Sequence, residues 1–222
     1  MRDPLPLFPL NTVLFPGLVL PLHVFEDGYR VMMRDILADV PAQPPEFGVV
    51  AIKVGYEVGD HGARTIHSLG CVAQIDDVTA NPEGTYDIIV RGTERFRLES
   101  VDRSGDYLRG RPQLVPERAG DNLAEAESRA RHGFARYRGI VEGLRGIALL
   151  EGALPDNAAV LSYVLAATVV MELGQRQQLL ESATVADRLR RLSRLMDTEL
   201  HTIAAIASLP ATDIARTGWS PN

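Results

Sequence analysis

Residues 5–29 read LPLFPLNTVLFPGLVLPLHVFEDGY, two apolar runs broken by Pro9, Pro16, Gly17 and Pro21 and followed by the acidic pair Glu26-Asp27. Proline has no backbone N–H and a fixed φ, so such runs suit edge strands, strand ends or bends of a curling sheet, not the middle of a flat one. The spacing predicts short strands over 5–10 and 18–22, joined through Phe15-Pro16-Gly17, where Pro presets φ and Gly accepts a positive value. Residues 26–37 then set Tyr29, Val31, Met32, Met33, Ile36 and Leu37 at helical spacing, with Glu26 and Asp27 at the end favoured by the helix dipole. The stretch therefore predicts a small, closed β unit carrying its own first helix.

Working outward, VPAQPPE at 40–46 is a loop by composition, and the pattern changes at Phe47. FGVVAIKVG reads as a buried strand and RTIHSLGCVAQI as a second. Asn81-Pro82-Glu83-Gly84 is a hairpin turn. TYDIIVRG and ERFRLESV read as two strands joined at Arg91-Gly92-Thr93, and YLRGRPQLV closes the sheet. No helix separates these strands, which argues for a barrel or half-barrel and against a parallel α/β sheet.

After PERAGD at 116–121 the strand signals stop. Asn122 with Glu125 resembles a capping box, and Phe134, Tyr137, Val141 and Leu144 share a helical face, weakened toward its end by glycines 139, 143 and 146. Pro155-Asp156 opens a helix that is apolar nearly all round through Val160, Leu161, Val164, Leu165, Val169 and Met171 and stops at Gly174. A short piece from Gln175 to Glu181 leads to Thr184, which with Asp187 caps a long helix buried along Leu189, Leu192, Met196, Leu200 and Ile203. Arg188, Arg190, Arg191 and Arg194 are assigned to its solvated face. These readings give an α+β chain divided into a β-barrel unit over 1–117, a helical bundle over 118–209 and a loosely ordered tail over 210–222.

Composition narrows the chemistry. The chain has 222 residues, 45% hydrophobic and 23% charged, enough for one large or two small cores. The apolar run near 160–171 is too short to span a bilayer and is interrupted by Ser162, Tyr163 and Thr168, and no signal peptide is evident, so a cytoplasmic location is expected. A single cysteine, Cys71, fits a reducing compartment. Residues 1–117 carry eleven basic against seventeen acidic side chains, a poor footprint for nucleic acid. Lys53 is the sole lysine, and it lies inside a strand signal with no serine before it, which excludes a P-loop and disfavours a Ser-Lys dyad built on it. His61, His67 and Cys71 match no zinc spacing, so a structural role is preferred to a metal site. His23 reads as a hydrogen-bonded strand residue, and Cys71 as a buried, unreactive thiol.

Phe8, Phe15, Val19, Leu22, Phe25 and Tyr29 are enough apolar material to fill a barrel, and any of them left facing solvent beside the Pro-Gly turn forms a patch suited to unfolded segments. Arg91 and Arg95, either side of Gly92, are suited to orient a carboxylate or phosphate, with a cross-strand ion pair to Glu94 or Glu99 as the structural alternative.

LPLFPLNTVLFPGLVLPLHVFEDGYRVMM, FGVV, HSLGCVAQI, IIVRGTERFRL and QRQQLLESATVADRLRRLSRLMDTEL together resemble, in order, the N-terminal substrate-binding domain of the Lon ATP-dependent protease. The resemblance covers about residues 5–205. It implies a PUA-like β pseudobarrel followed by an α-helical bundle that recognises and engages polypeptide substrates. The ATPase and Ser-Lys peptidase modules of that protease have no counterpart in these residues. The expectation is a stand-alone, non-catalytic protein, without metal or cofactor, that binds unfolded or client polypeptides or a protease or chaperone partner, and neither nucleic acid nor membrane. Phe15, Pro16, Gly17, Val19, Phe25, Tyr29, Arg91 and Arg95 are its candidate contact residues. An RNA-binding PUA-like module or a small-molecule sensor is the alternative.

Overall fold

The structure, a computed structural model, describes residues 4–38, 44–55, 63–146 and 148–208. In chain order its elements are β1 (Leu5–Leu10), β2 (Val19–Val24), α1 (Asp27–Ala38), β3 (Glu46–Gly55), β4 (Ala63–Ile66), β5 (Leu69–Ala80), β6 (Tyr86–Asp102), β7 (Arg109–Val115), α2 (Leu123–Arg145), α3 (Ala158–Thr168), α4 (Leu173–Leu180) and α5 (Val185–Ser208). The fold is α+β, with the strands gathered in the first half and a helical region at the C-terminal end.

The sheet runs β1-β7-β6-β5-β3 and closes on itself, because β3 returns to β1 as a parallel pair from Leu7↔Gly48 to Leu10↔Ala51. Closure removes the edges that a proline-rich strand such as β1 would otherwise leave open. β4 extends the far end of β3. The long strand β6 changes neighbours along one side: residues 86–91 pair with β2 and residues 95–102 with β7. Arg91-Gly92-Thr93 marks this exchange of partners and not a chain reversal, so the two strands expected there are one. The Phe15-Pro16-Gly17 turn sits in the notch between β2 and β7. Gly17 N donates to Gly92 O at 2.8 Å and Gly92 N to Leu18 O at 2.9 Å, and a Cβ at Gly92 would collide with the Phe15 carbonyl.

The expected strand over 64–75 is likewise divided, into β4 and β5, by His67-Ser68, whose backbone leaves the ladder: His67 N donates to Ala51 O and Ser68 O accepts from Leu98 N. Cys71 is buried in β5 while His67 lies outside the strand, so the two do not share a strand face. Asn81–Gly84 forms the expected turn between β5 and β6.

One core lies between the barrel and α1, around Phe8, Met32, Met33, Phe47 and Val90, and a small one around Leu7 and Phe96. A third joins the barrel to the helices. In it Val13, Phe15, Ala51 and Leu69 pack with Phe134, Tyr137, Leu161, Tyr163, Leu189 and Met196.

Several helix details differ from expectation. Asn122 precedes α2 with φ 55°, and its side chain makes no cap bond. Gly139 and Gly143 are carried inside α2, and Leu144 is exposed, because the buried stripe ends at Val141. The cap of α3 is Asn157, whose side chain accepts from Ala159 N and Val160 N, and α3 ends at Thr168. Gly174 does not stop it; Gly174 lies within α4, which Glu172 and Gln175 open as a capping box. Thr184 does cap α5, accepting from Asp187 N at 3.1 Å. Of the four arginines assigned to solvent, Arg188 is fully buried. His61, most of the 40–46 loop and the tail after Pro210 lie outside the described residues.

Candidate functional site

β2, the first half of β6 and the second half of β5 form a three-stranded ribbon in register: Pro21↔Ile89 and His23↔Asp87 across one seam, Asp77↔Ile89 and Thr79↔Asp87 across the other. Period-2 alternation divides it, with a register shift between Ile75 and Asp77 that moves the outward parity of β5 by one residue. Val24, Ile75, Ile88 and Val90 face inward to the α1 core, while Val19, Pro21, His23, Asp77, Thr79, Asp87 and Ile89 face out. The outer face holds a shallow concavity of about 420 Å³ lined by Pro21, Leu22, His23, Asp77, Thr79, Asp87, Ile88 and Ile89.

Its apolar rim is unusual for a solvated sheet. Val19 is 59% exposed, Phe25 52% and Ile89 41%. Phe25 follows β2 directly and stacks on His23 with ring centroids 5.9 Å apart. β2 pairs only with β6, so its other long edge has no strand partner among the described residues, and Pro21 within it blunts that edge against indiscriminate pairing.

The polar groups of this face are held in place. Asp87 accepts from Asn81 Nδ2 at 2.8 Å and lies 2.7 Å from His23 Nδ1; these bonds, Asn81's first, hold its carboxyl below the usual range. Arg91 grips Asp76 with Nε at 3.0 Å and Nη2 at 2.5 Å, which lowers the Asp76 pKa. Fixed polar groups around exposed apolar side chains make a surface for non-covalent contact. Among the described residues of this face no nucleophile is paired with a base, and burial drives the Cys71 thiol strongly upward, away from thiolate chemistry. Among the described residues no three His, Cys, Asp or Glu side chains are grouped to hold a metal.

The expected contact residues fall into two groups. Val19, Phe25, Gly17 and Arg91 are exposed at or beside the ribbon face, and Pro16 is half-buried. Tyr29 is half-buried against Phe8, at 4.3 Å between ring centroids. Phe15 and Arg95 are 1% and 2% exposed, which closes both to a partner. Phe15 packs on Tyr163 at the barrel–bundle junction. Arg95 donates from Nη1 to Leu180 O and Ser182 O, both at 2.8 Å, and its Nε lies 2.6 Å from Glu117 Oε1. Pro21, His23, Asp87 and Ile89 complete the face; His23 is the hydrogen-bonded strand residue expected, and the signal for the other three is the alternation of VLPLHV and YDIIV.

The model of the ATP-dependent protease La (LON) substrate-binding domain matches residues 4–198. Lon protease 2 of Herpetosiphon aurantiacus is 30% identical over 207 residues, covering 88% of this chain and 24% of that protein. The Lon N-terminal domain protein from Xanthomonas campestris is similar at a TM-score of 0.62 and 26% identity, covering 86% of this chain and 97% of that one. The N-terminal domain of Mycobacterium avium complex Lon protease shares the fold at a TM-score of 0.57 and 18% identity, over 88% and 98% of the two chains. The chain spans about a quarter of the length of the curated relatives it matches.

Proposed function

The chain belongs to the family of ATP-dependent protease La (LON) substrate-binding domains, and on that footing we propose that it binds unfolded or client polypeptides without catalysing a reaction on them, in the cytoplasm. The exposure of Val19, Phe25 and Ile89 together on the outer face of the β2–β6–β5 ribbon carries the reading. An extended client segment laid along β2 buries these side chains, at about 1.5–3 kcal/mol for each one fully covered. The open long edge of β2 offers main-chain hydrogen bonds to the same segment. Arg91 and Gly17 stand beside this face, and their role is to frame it.

Nucleic acid does not suit the face, because Asp76, Asp77 and Asp87 lie on it with one arginine, itself paired. Photo-crosslinking from position 25 to a denatured model protein tests the proposal. Capture above that of the same protein in its folded form is expected; equal capture of both forms contradicts it.

A further inference from the structure

A second cleft lies on the helical half, between α4 and α5. It has a volume of about 190 Å³ and is lined by Gln175, Gln178 and Leu179 of α4 and by Arg191, Arg194, Leu195 and Thr198 of α5. The spacings i, i+3, i+4 on α4 and i, i+3, i+4, i+7 on α5 set these residues as two facing stripes. They are separate from the stripe of α5 that is buried, on which Leu189, Leu192, Met196 and Leu200 lie.

Arg191 and Arg194 are exposed and make no hydrogen bond or ion pair among the described residues. The nearby carboxylate of Asp187 feels Arg191 through space but is already held by Arg190 at 2.8 Å and by Thr184 at 2.7 Å. The cleft thus combines two guanidinium groups uncommitted among the described residues, an apolar floor from the half-buried Leu195, and the amide and hydroxyl groups of Gln175, Gln178 and Thr198. Gln175 Oε1 is used by Glu172 N, at 2.9 Å, which leaves its amino group to donate.

We propose that this cleft takes the C-terminal residue of a polypeptide, its α-carboxylate on Arg191 and Arg194 and its apolar side chain on Leu195. Charge complementarity selects the occupant. Two unpaired arginines at i, i+3 match a carboxylate, the apolar floor matches an apolar side chain attached to it, and the side-chain amides match the peptide group that joins that residue to its chain. A phosphate has no use for the floor. The proposal rests on the polypeptide-binding reading for its class of ligand, and on a different surface of the molecule.

The test is fluorescence anisotropy with an uncharged peptide labelled at its N-terminus and ending in leucine. It is offered with a free carboxylate, with an amidated end, and amidated with one internal glutamate. The free-carboxylate peptide is expected to bind the intact chain, and to lose about tenfold or more in affinity on amidation and in the R191Q/R194Q variant. The V19S/F25S variant, altered on the ribbon face, is expected to keep the preference for acid over amide. Equal binding of acid and amide, unchanged binding by R191Q/R194Q, or equally tight binding of the internal-glutamate peptide overturns the proposal. Capture of a denatured protein by R191Q/R194Q, read alongside, reports on the ribbon face separately. Both arginines are exposed, and an unchanged thermal midpoint of R191Q/R194Q keeps loss of fold out of the comparison.

Discussion

The guanidinium of Arg188, fully buried on α5, holds both carboxylate oxygens of Glu117, two residues past the end of β7, at 3.3 and 3.1 Å. Arg95 of β6 reaches the same carboxylate, so that a single acid bridges two buried arginines across the barrel–bundle junction. Arg188 also donates to Leu179 O at 3.1 Å and Ser162 Oγ at 2.8 Å and lies over the Tyr163 ring, whose hydroxyl donates to Glu117. Burial lowers the Arg188 pKa and raises that of Tyr163, so the ring stays protonated and Glu117 supplies the negative charge.

Removing that charge leaves both arginines uncompensated. Glu117→Gln is expected to destabilise the fold by about 3 kcal/mol, toward the low end for a broken buried pair because part of the Glu117 side chain remains in water. Urea unfolding checks this: the midpoint falls while the slope stays the same.

Little of this junction was legible in the sequence. Leu189, Leu192, Met196 and Leu200 announce the buried stripe of α5 by spacing alone, but Arg188, next to Leu189, reads as solvent-facing because its residue type outweighs its position. Its partner Glu117 is 71 residues away, a separation no local pattern encodes. The same limit explains Gly92. A glycine between two strand-like runs reads as a turn, and only the Phe15 carbonyl packed against it explains why β6 runs straight through. The proline-broken stretch was readable because its constraint is local: a missing donor and a fixed φ act wherever the chain goes.

Two glycines give opposite outcomes on substitution. At Gly92 a methyl group meets the Phe15 backbone and parts the hydrogen bonds of Gly92 with Gly17 and Leu18, so Gly92→Ala is expected to cost about 2 kcal/mol or more. At Gly139, inside α2, the same methyl meets open space, and Gly139→Ala is expected to stabilise by about 0.8–1 kcal/mol through helix propensity. Thermal unfolding of the two variants checks the opposite signs.

Phe15 and Phe25 separate folding from binding. Phe15→Ala empties a site 1% exposed at the junction and is expected to cost about 3–5 kcal/mol. Phe25→Ser, at a side chain 52% exposed, is expected to leave stability within about 0.5 kcal/mol of the parent. Circular dichroism melts of both variants measure the difference.

His67 gives stability a dependence on pH near neutrality. Burial, helped by Lys53, holds its pKa below the ordinary 6.5 against the opposing pull of Glu181, whose carboxylate is 3.4 Å from Nδ1. The unfolded chain therefore takes up this proton first, and stability is expected to fall as pH drops through 6.5 toward the lower folded value. Asp76, Asp87 and Asp187 act in a separate window. Their folded pKa values lie below the ordinary 3.8, so the stability they add is lost only in stronger acid. Urea midpoints across the neutral-to-acid range are expected to show a shallower upper slope for His67→Gln.

The binding face is tested most directly by titrating a fluorescently labelled, permanently unfolded polypeptide with the parent chain and with V19S/F25S. The parent is expected to bind it saturably. The variant, which retains the fold but loses two exposed apolar anchors, is expected to bind about a hundredfold more weakly. Equal affinity of the two proteins contradicts the assignment of polypeptide binding to the β2–β6–β5 ribbon.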